Sequence, residues 1–455
     1  MMRNLSLSEL EMPLRGHLVG GDVSFSTVST DSRHIRGGEL FVALAGERFD
    51  AHDFIADVER AGAGAALLSR DVDVGLPHLR VADTEQALGR LGAFNRAQFQ
   101  GPLVGITGSS GKTTVKNLVA AVLSQRGETL ATEGNLNNEI GVPLTLLRIA
   151  PSTRFAVVEM GAGKPGDIAW LTELGSPTVA MVLNVMPAHL EGMGSVEAIA
   201  DTKGAIYDQL GAAGTAIINR DEPWADHWIR RAGQARVIDF GVENAAAVTA
   251  SNIVLRGAQG LSFDALTPRG SLSVTLALPG KHNVANALAA IAVGLACELT
   301  LQEIGDGLAS VEPVPGRLSV QVGRAGVQVI DDCYNANPGS VKAAIDLLAA
   351  CPGRRVLLLG AMRELGPGGE ELHREVGTYA AERGVDALWG VGDELLATVE
   401  AFGRDGRWFE NREQAGNAIT ELCDSETTVL VKGSRGARME QLLPALLGPE
   451  GGASC

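Results

Sequence analysis

Cysteine is scarce and poorly spaced for covalent or metal chemistry. Cys297, Cys333, Cys351, Cys423 and Cys455 are odd in number, scattered, and form no CxxC pair. They exclude a disulfide scaffold and a cysteine-based zinc site. Aromatic residues are also few, at 4% of the 455 residues, which argues against an aromatic binding platform. Basic residues are outnumbered, with 38 Lys and Arg against 54 Asp and Glu and a net charge of -16. A broad nucleic-acid surface is thereby disfavoured, while a local basic pocket for phosphates is left open. No apolar run approaches the roughly 18 residues of a membrane span. The first twenty residues hold Glu9 and Glu11 and no apolar signal core. A cytoplasmic protein without stable membrane insertion is the expectation.

What is abundant points to an α/β protein. There are 57 glycines, and hydrophobic residues make up 45% of a chain that exceeds the roughly 250–300 residues of a single core. Two or three domains are therefore expected. Residues 1–98 form a small mixed unit, with a strand over 40–44 introduced by Gly37-Gly38, a helix over 53–61, a strand over 65–68 and a helix over 85–94. From 99 to 314, strands at 103–107, 155–159, 179–183 and 215–218 alternate with helices at 112–125 and 284–296. The alternation of Leu272, Val274, Leu276 and Leu278 adds a half-solvated antiparallel strand. Glu312-Pro313-Val314-Pro315-Gly316 is a hinge by its turn chemistry. From 315 to 455, strands at 327–331, 356–359 and 429–431 alternate with helices at 340–349, 370–383 and 439–447. This rhythm predicts mostly parallel sheets flanked by helices.

Gly108-Ser109-Ser110-Gly111-Lys112-Thr113-Thr114 sits between a buried-type strand and an amphipathic helix. Backbone amides of such a loop cradle polyphosphate oxygens, Lys112 reaches the terminal phosphates, and the Thr113 hydroxyl ligates magnesium. The common form has glycine where this chain has Ile106, so this is a shortened G-x-x-G-K-T variant. It predicts a nucleoside triphosphate site.

Other residues stand where parallel strands end and ligands bind. Glu159 is a candidate magnesium ligand, the alternative being a solvated charge at a strand end. His189, following Asn184-Val185, is either a metal ligand or a surface histidine. Magnesium suits this set better than zinc. Asn283 is placed to cap the helix after Gly280-Lys281-His282, and Asn286 to present an amide to a base. Asp332-Cys333-Tyr334-Asn335-Ala336-Asn337-Pro338-Gly339-Ser340 is either a binding loop or an elaborate helix entry with Ser340 as cap. Arg317 is suited to reach a phosphate across the hinge. Lys432 and Arg435 in Val431-Lys432-Gly433-Ser434-Arg435 are either partners for a carboxylate or solvated charges at a strand terminus.

Taken together, these motifs resemble the ATP-dependent Mur ligases, which build the peptide of the peptidoglycan precursor. The resemblance runs along essentially the whole chain. It covers the shortened phosphate loop, Glu159, Asn184 with His189, the 280–286 run and Asp332-x-Tyr334-Asn335-Ala336-Asn337-Pro338. The last motif favours the activity that adds D-alanyl-D-alanine over the addition of the third residue. Thr30-Asp31-Ser32-Arg33 and Gly38-Glu39-Leu40-Phe41 are common to both activities. One departure is Ala361, where the family run carries aspartate.

The resemblance implies three α/β domains. These are a UDP-substrate-binding domain (1–98), a central P-loop ATPase with a mostly parallel sheet (99–314) and a Rossmann-like ligase domain (315–455). It implies a monomer using ATP and two magnesium ions on UDP-N-acetylmuramoyl-tripeptide and D-alanyl-D-alanine. The nucleotide falls to Gly108, Ser109, Ser110, Gly111, Lys112, Thr113, Thr114, Asn283, Asn286, Arg317 and Asp332. The metals fall to Thr113, Glu159, His189 and Lys203, the last matching a lysine that is carbamylated in several members. The substrates fall to Ser32, Arg33, Asn135, Asn138, Tyr334, Asn335, Asn337, Lys432 and Ser434. The alternatives are another amide ligase of this type, adding the third residue or resembling folylpolyglutamate synthesis, and a nucleotide-driven switch that hydrolyses ATP without an acceptor.

Overall fold

The computed structural model describes residues 2–46, 49–187 and 190–448. A five-stranded sheet near the N-terminus runs in the order His17–Val19, His78–Arg80, Ala65–Leu68, Leu40–Val42, Val28–Ser29. Its pairs are parallel except the one made by His17–Val19. Leu40–Val42 and Ala65–Leu68 are buried at every position, as unbroken apolar runs inside a covered parallel sheet should be. The helix expected over 53–61 begins as a 3-10 turn, Ala51–Phe54, and continues as Ile55–Arg60.

Helix Thr84–Arg96 starts where the Asp83 carboxylate accepts from the amides of Glu85 and Gln86. Its far end is fastened to the next sheet's helices. Asn95 donates to the carbonyls of Leu146 and Ile149, and Arg96 donates to those of Gly175 and Ser176. Gly92 allows the close approach, since a Cβ there would lie 2.9 Å from Pro143 Cα.

The central sheet has nine strands, in the order Gly270–Leu276, Leu261–Thr267, Val248–Leu255, Arg236–Gly241, Thr215–Asn219, Val179–Val182, Leu103–Thr107, Phe155–Glu159, Thr129–Ala131. Leu261–Thr267 pairs antiparallel with both of its neighbours, and the other pairs are parallel. Helices Lys112–Ser124, His282–Ala296 and Leu301–Ala309 bury their apolar sides on one face, and Asp167–Gly175 and Ala225–Ala232 on the other. The strands over 236–241, 248–255 and 261–267 escaped the sequence pattern. In the first two, Arg236, Val237, Val254 and Leu255 are exposed, so burial does not follow a clean period, whereas Leu261, Phe263 and Ala265 do alternate inward.

The third sheet orders Ser319–Val322, Gln328–Asp332, Thr427–Lys432, Arg354–Gly360, Ala387–Val391, Gly406–Phe409, all parallel except the first pair. Separate apolar clusters cover its two faces. Its last expected helix is a 3-10 turn, Met439–Leu442, followed by Leu443–Leu447, which Pro444 helps to initiate.

Two caps differ from the sequence expectation. Asn337, not Ser340, caps helix Pro338–Ala349. Pro338 fixes the first helical residue, and Ser340 becomes the third residue of a reciprocal capping box. Asn283 lies inside helix His282–Ala296, because Gly280 at φ +96° turns the chain early. Among the described residues, no helix is long and apolar enough to cross a membrane.

Candidate active site

Strand Leu103–Thr107 lies where the strand order of the central sheet reverses, with Phe155–Glu159 on one side and Val179–Val182 on the other. Open parallel sheets bind ligands in the crevice at such a point. Here the crevice is a cavity of about 880 Å³, roofed by the third sheet's loops.

The phosphate loop is held in shape before any ligand arrives. Gly111, at φ +81°, caps helix Lys112–Ser124 and lets Asn286 come close, since a Cβ there would meet Asn286 Oδ1 at 3.1 Å. The Asn184 side chain brackets Ser110, accepting from its amide at 2.9 Å and donating to its carbonyl at 3.1 Å. Ser109 Oγ exchanges hydrogen bonds with the Met186 backbone. Lys112 Nζ folds back onto the Gly108 carbonyl at 2.8 Å. Desolvation and the Arg317 charge lower the Lys112 pKa, and Glu159 opposes both.

Glu159, 2% exposed, is fixed at both carboxylate oxygens. Thr113 Oγ1 donates to Oε2 at 2.9 Å, and Asn137 Nδ2 donates to Oε1 at 2.8 Å. Behind it, Lys116 Nζ donates to the Thr132 carbonyl while Thr132 Oγ1 accepts from the Glu159 amide. Hard oxygens from Thr113 and Glu159, beside a polyphosphate cradle, fit a magnesium ion that keeps water and phosphate oxygens as its other ligands. Among the described residues no three acids, histidines or cysteines cluster as a self-sufficient metal cage, and such a site requires none.

The opposite wall comes from the third sheet. Lys432 is paired with Asp332 and donates to the Asn335 carbonyl at 2.9 Å. Burial raises the Asp332 pKa, and the Lys432 charge opposes it. Burial, with Lys432 nearby, pushes His282 down to about 4, so its ring is neutral at physiological pH. Arg317 crosses the hinge and donates to Thr113 Oγ1 at 2.7 Å.

Ser109 through Thr114, Glu159, Asn135, Asn138, Asn283, Asn286, Arg317, Asp332, Tyr334, Asn335, Asn337 and Lys432 all line this cavity. Gly108 supplies the base of the loop. Several expected residues are placed otherwise. Ser434 donates to the Ala361 carbonyl at 2.6 Å and does not line the cavity, because the strand-end turn uses its hydroxyl internally. Ser32 and Arg33 lie outside the cavity, Arg33 being paired with Asp31 on a surface turn. Lys203 closes helix Val196–Gly204, buried at 2% exposure but not lining the cavity. Burial and the Lys112 charge bring its pKa down to about 7. His189 lies outside the described residues. Asn283 bonds Pro279 and Asn286 rather than capping its helix by side chain.

Sequence reasoning gave no role to Asn137, Lys116 or His282. The Asn135-Leu136-Asn137-Asn138 run signalled an amide-rich loop, but not that it is the Asn137 amide that reaches Glu159.

Comparison with known proteins agrees with this arrangement. Three family models match in succession: Mur ligase family, catalytic domain, over 24–96; Mur ligase middle domain over 106–294; and Mur ligase, glutamate ligase domain, over 316–435. The UDP-N-acetylmuramoyl-tripeptide--D-alanyl-D-alanine ligase of Escherichia coli K12 is 45% identical, over 98% of this chain and 99% of its own. The Haemophilus influenzae protein of the same name is 37% identical, with 98% and 99% coverage. A crystal structure of MurF from Acinetobacter baumannii superposes with a TM-score of 0.93 at 35% identity, covering 97% of this chain and 98% of that one. The three-domain α/β architecture is that of these enzymes. With models matching all three parts and relatives matching end to end, the chain belongs to the Mur ligase family and is an ATP-dependent amide ligase.

Proposed function

We propose that this ligase joins D-alanyl-D-alanine to the terminal carboxylate of UDP-N-acetylmuramoyl-tripeptide in the cytoplasm, giving the pentapeptide precursor, ADP and phosphate. The observation that carries the reading is the meeting of two halves in one cavity. A phosphate loop with Glu159 faces the Asp332-x-Tyr334-Asn335-Ala336-Asn337-Pro338 loop and Lys432 of the third sheet. An activating site opposite an acceptor site is what amide formation from a carboxylate requires. End-to-end relatives named for this reaction support the choice of acceptor.

A carboxylate does not condense usefully with an amine until its oxygen becomes a leaving group. The tripeptide carboxylate attacks the γ-phosphorus of ATP, ADP departs, and an acyl phosphate forms. The amine of D-alanyl-D-alanine then attacks the carbonyl carbon, and the tetrahedral intermediate expels phosphate. Protonated Lys112 and the amides of Ser109 to Thr114 stabilise charge on the transferred phosphoryl group. Arg317, already at the loop, moves from Thr113 to a phosphate oxygen. Asn283 and Asn286 hold adenosine, with Asp332 beyond them. Asn135 and Asn138 face the tripeptide, and Asn335, Asn337 and Lys432 the dipeptide. Ser32 and Arg33 serve the UDP end.

Magnesium held by Thr113 and Glu159 neutralises polyphosphate charge when bound. A second ion is assigned to His189 and carbamylated Lys203. Support for the carbamate comes from the buried position of Lys203, which brings its pKa down to about 7 and so makes the neutral amine, the form that reacts with carbon dioxide, readily available.

The test is phosphate release with ATP and magnesium, using each acceptor alone and then both, with tripeptides ending in meso-diaminopimelate or lysine. Release that needs both substrates, with a matching pentapeptide mass, is expected. Equal release without D-alanyl-D-alanine refutes the assignment.

A further inference from the structure

Tyr334 lines the cavity and also makes a contact within the protein. Its ring lies face-on beneath the Arg317 guanidinium, with Arg317 Cζ 4.0 Å from the ring centroid, and Arg435 approaches the same ring at 6.0 Å. The backbone around the pair is tightly laced. The Tyr334 amide donates to the Gly316 carbonyl at 3.1 Å, and the Gly316 amide donates to Asp331 Oδ2 at 2.9 Å. Gly316 at φ +75° lies against Tyr334, so the turn carrying Arg317 is sewn to the strand end that carries the tyrosine. Leu318, immediately after Arg317, is held at φ +54°, a conformation unfavourable for a branched side chain. Strain retained at one residue beside a functional arginine marks a position the surroundings enforce.

We propose that Tyr334 is a positioning residue: its ring is the platform that keeps the Arg317 guanidinium aimed across the hinge at Thr113 and the nucleotide phosphates. A flat guanidinium slides over an aromatic face with little loss of attraction, so Arg317 passes from Thr113 Oγ1 to a phosphate oxygen without leaving the ring. The platform thus couples the hinge to nucleotide capture. It rests on the phosphate-loop reading of residues 108–114.

The experiment is a double-mutant cycle on the full chain, reading ADP affinity by calorimetry and KM for ATP against kcat. Y334L is expected to weaken ADP and raise KM for ATP by about threefold to thirtyfold, the range of a partly desolvated cation–π contact. Y334F is expected to restore native values. R317A is expected to weaken ADP at least as much, and Y334L added to R317A to cost nothing more. Effects that multiply in the double variant overturn the proposal, as does a Y334F variant as weak as Y334L, which would assign the role to the hydroxyl. If Y334L does not fold, Y334M replaces it. R317K approaches from the other side, because Y334M must then cost less than it does beside arginine. Failure of the native chain to bind ADP would instead overturn the phosphate-loop reading itself.

Discussion

Replacing Glu159 by glutamine removes one charge and almost no volume, which isolates its electrostatic role. The carboxylate accepts from Thr113 at 2.9 Å and from Asn137 at 2.8 Å. A glutamine amide keeps both contacts if Asn137 turns its own amide over, so the bonds persist in neutral form. Charge-assisted bonds contribute about 1.5–3 kcal/mol and neutral ones about 0.5–1.5, so two such exchanges lower stability by about 2 kcal/mol. Function should suffer more. Losing the carboxylate that accepts from Thr113 should raise the magnesium requirement by about 10- to 100-fold, by analogy with the loss of groups that support a metal site. Glu159 also holds up the Lys112 pKa against burial and Arg317. Without it that pKa falls further, and phosphate capture needs the ammonium. The basic limb of the activity profile therefore moves to lower pH. The assay is ADP binding by calorimetry across magnesium concentrations, with urea unfolding as control and phosphate release across pH. An unchanged magnesium curve in a folded E159Q protein refutes the reasoning, whatever happens to turnover.

Lys203→Ala should lose ligation and regain part of it with added short carboxylic acids, which restore the anion a carbamate supplies; no rescue in a folded variant makes Lys203 a structural lysine. Glu222 accepts from the Val185 amide at 3.0 Å, and burial raises its pKa to about 7. A raised acid pKa penalises the folded state as pH climbs from the ordinary carboxyl value through 7, so Glu222→Gln should stabilise the protein more at pH 8 than at pH 5. Equal melting shifts at both pH values would show a solvated carboxylate. Asn337→Ala breaks a reciprocal capping box and should cost about 1 kcal/mol by urea unfolding. A loss near zero would mean that Ser340 takes over the cap.

Local chemistry determined more of this protein than its modest motifs suggest. Gly108 to Thr114 between a buried strand and an amphipathic helix specified a phosphate cradle, because loop glycines, a helix N-terminus and one lysine act together within seven residues. Runs such as Leu40–Val42 and Leu103–Thr107 declared themselves as strands because parallel sheets bury both faces. The strands over 236–255 did not, because they leave apolar Val237, Val254 and Leu255 exposed, so no clean period of burial runs along them. Tertiary structure alone decided which asparagine of 135–138 reaches Glu159, and that Ser434 serves Ala361. It also decided that Arg317, 204 residues from Thr113, rests on its hydroxyl over the Tyr334 ring. Sequence carries spacing along a chain, and these pairings depend on where separate sheets come to rest against one another.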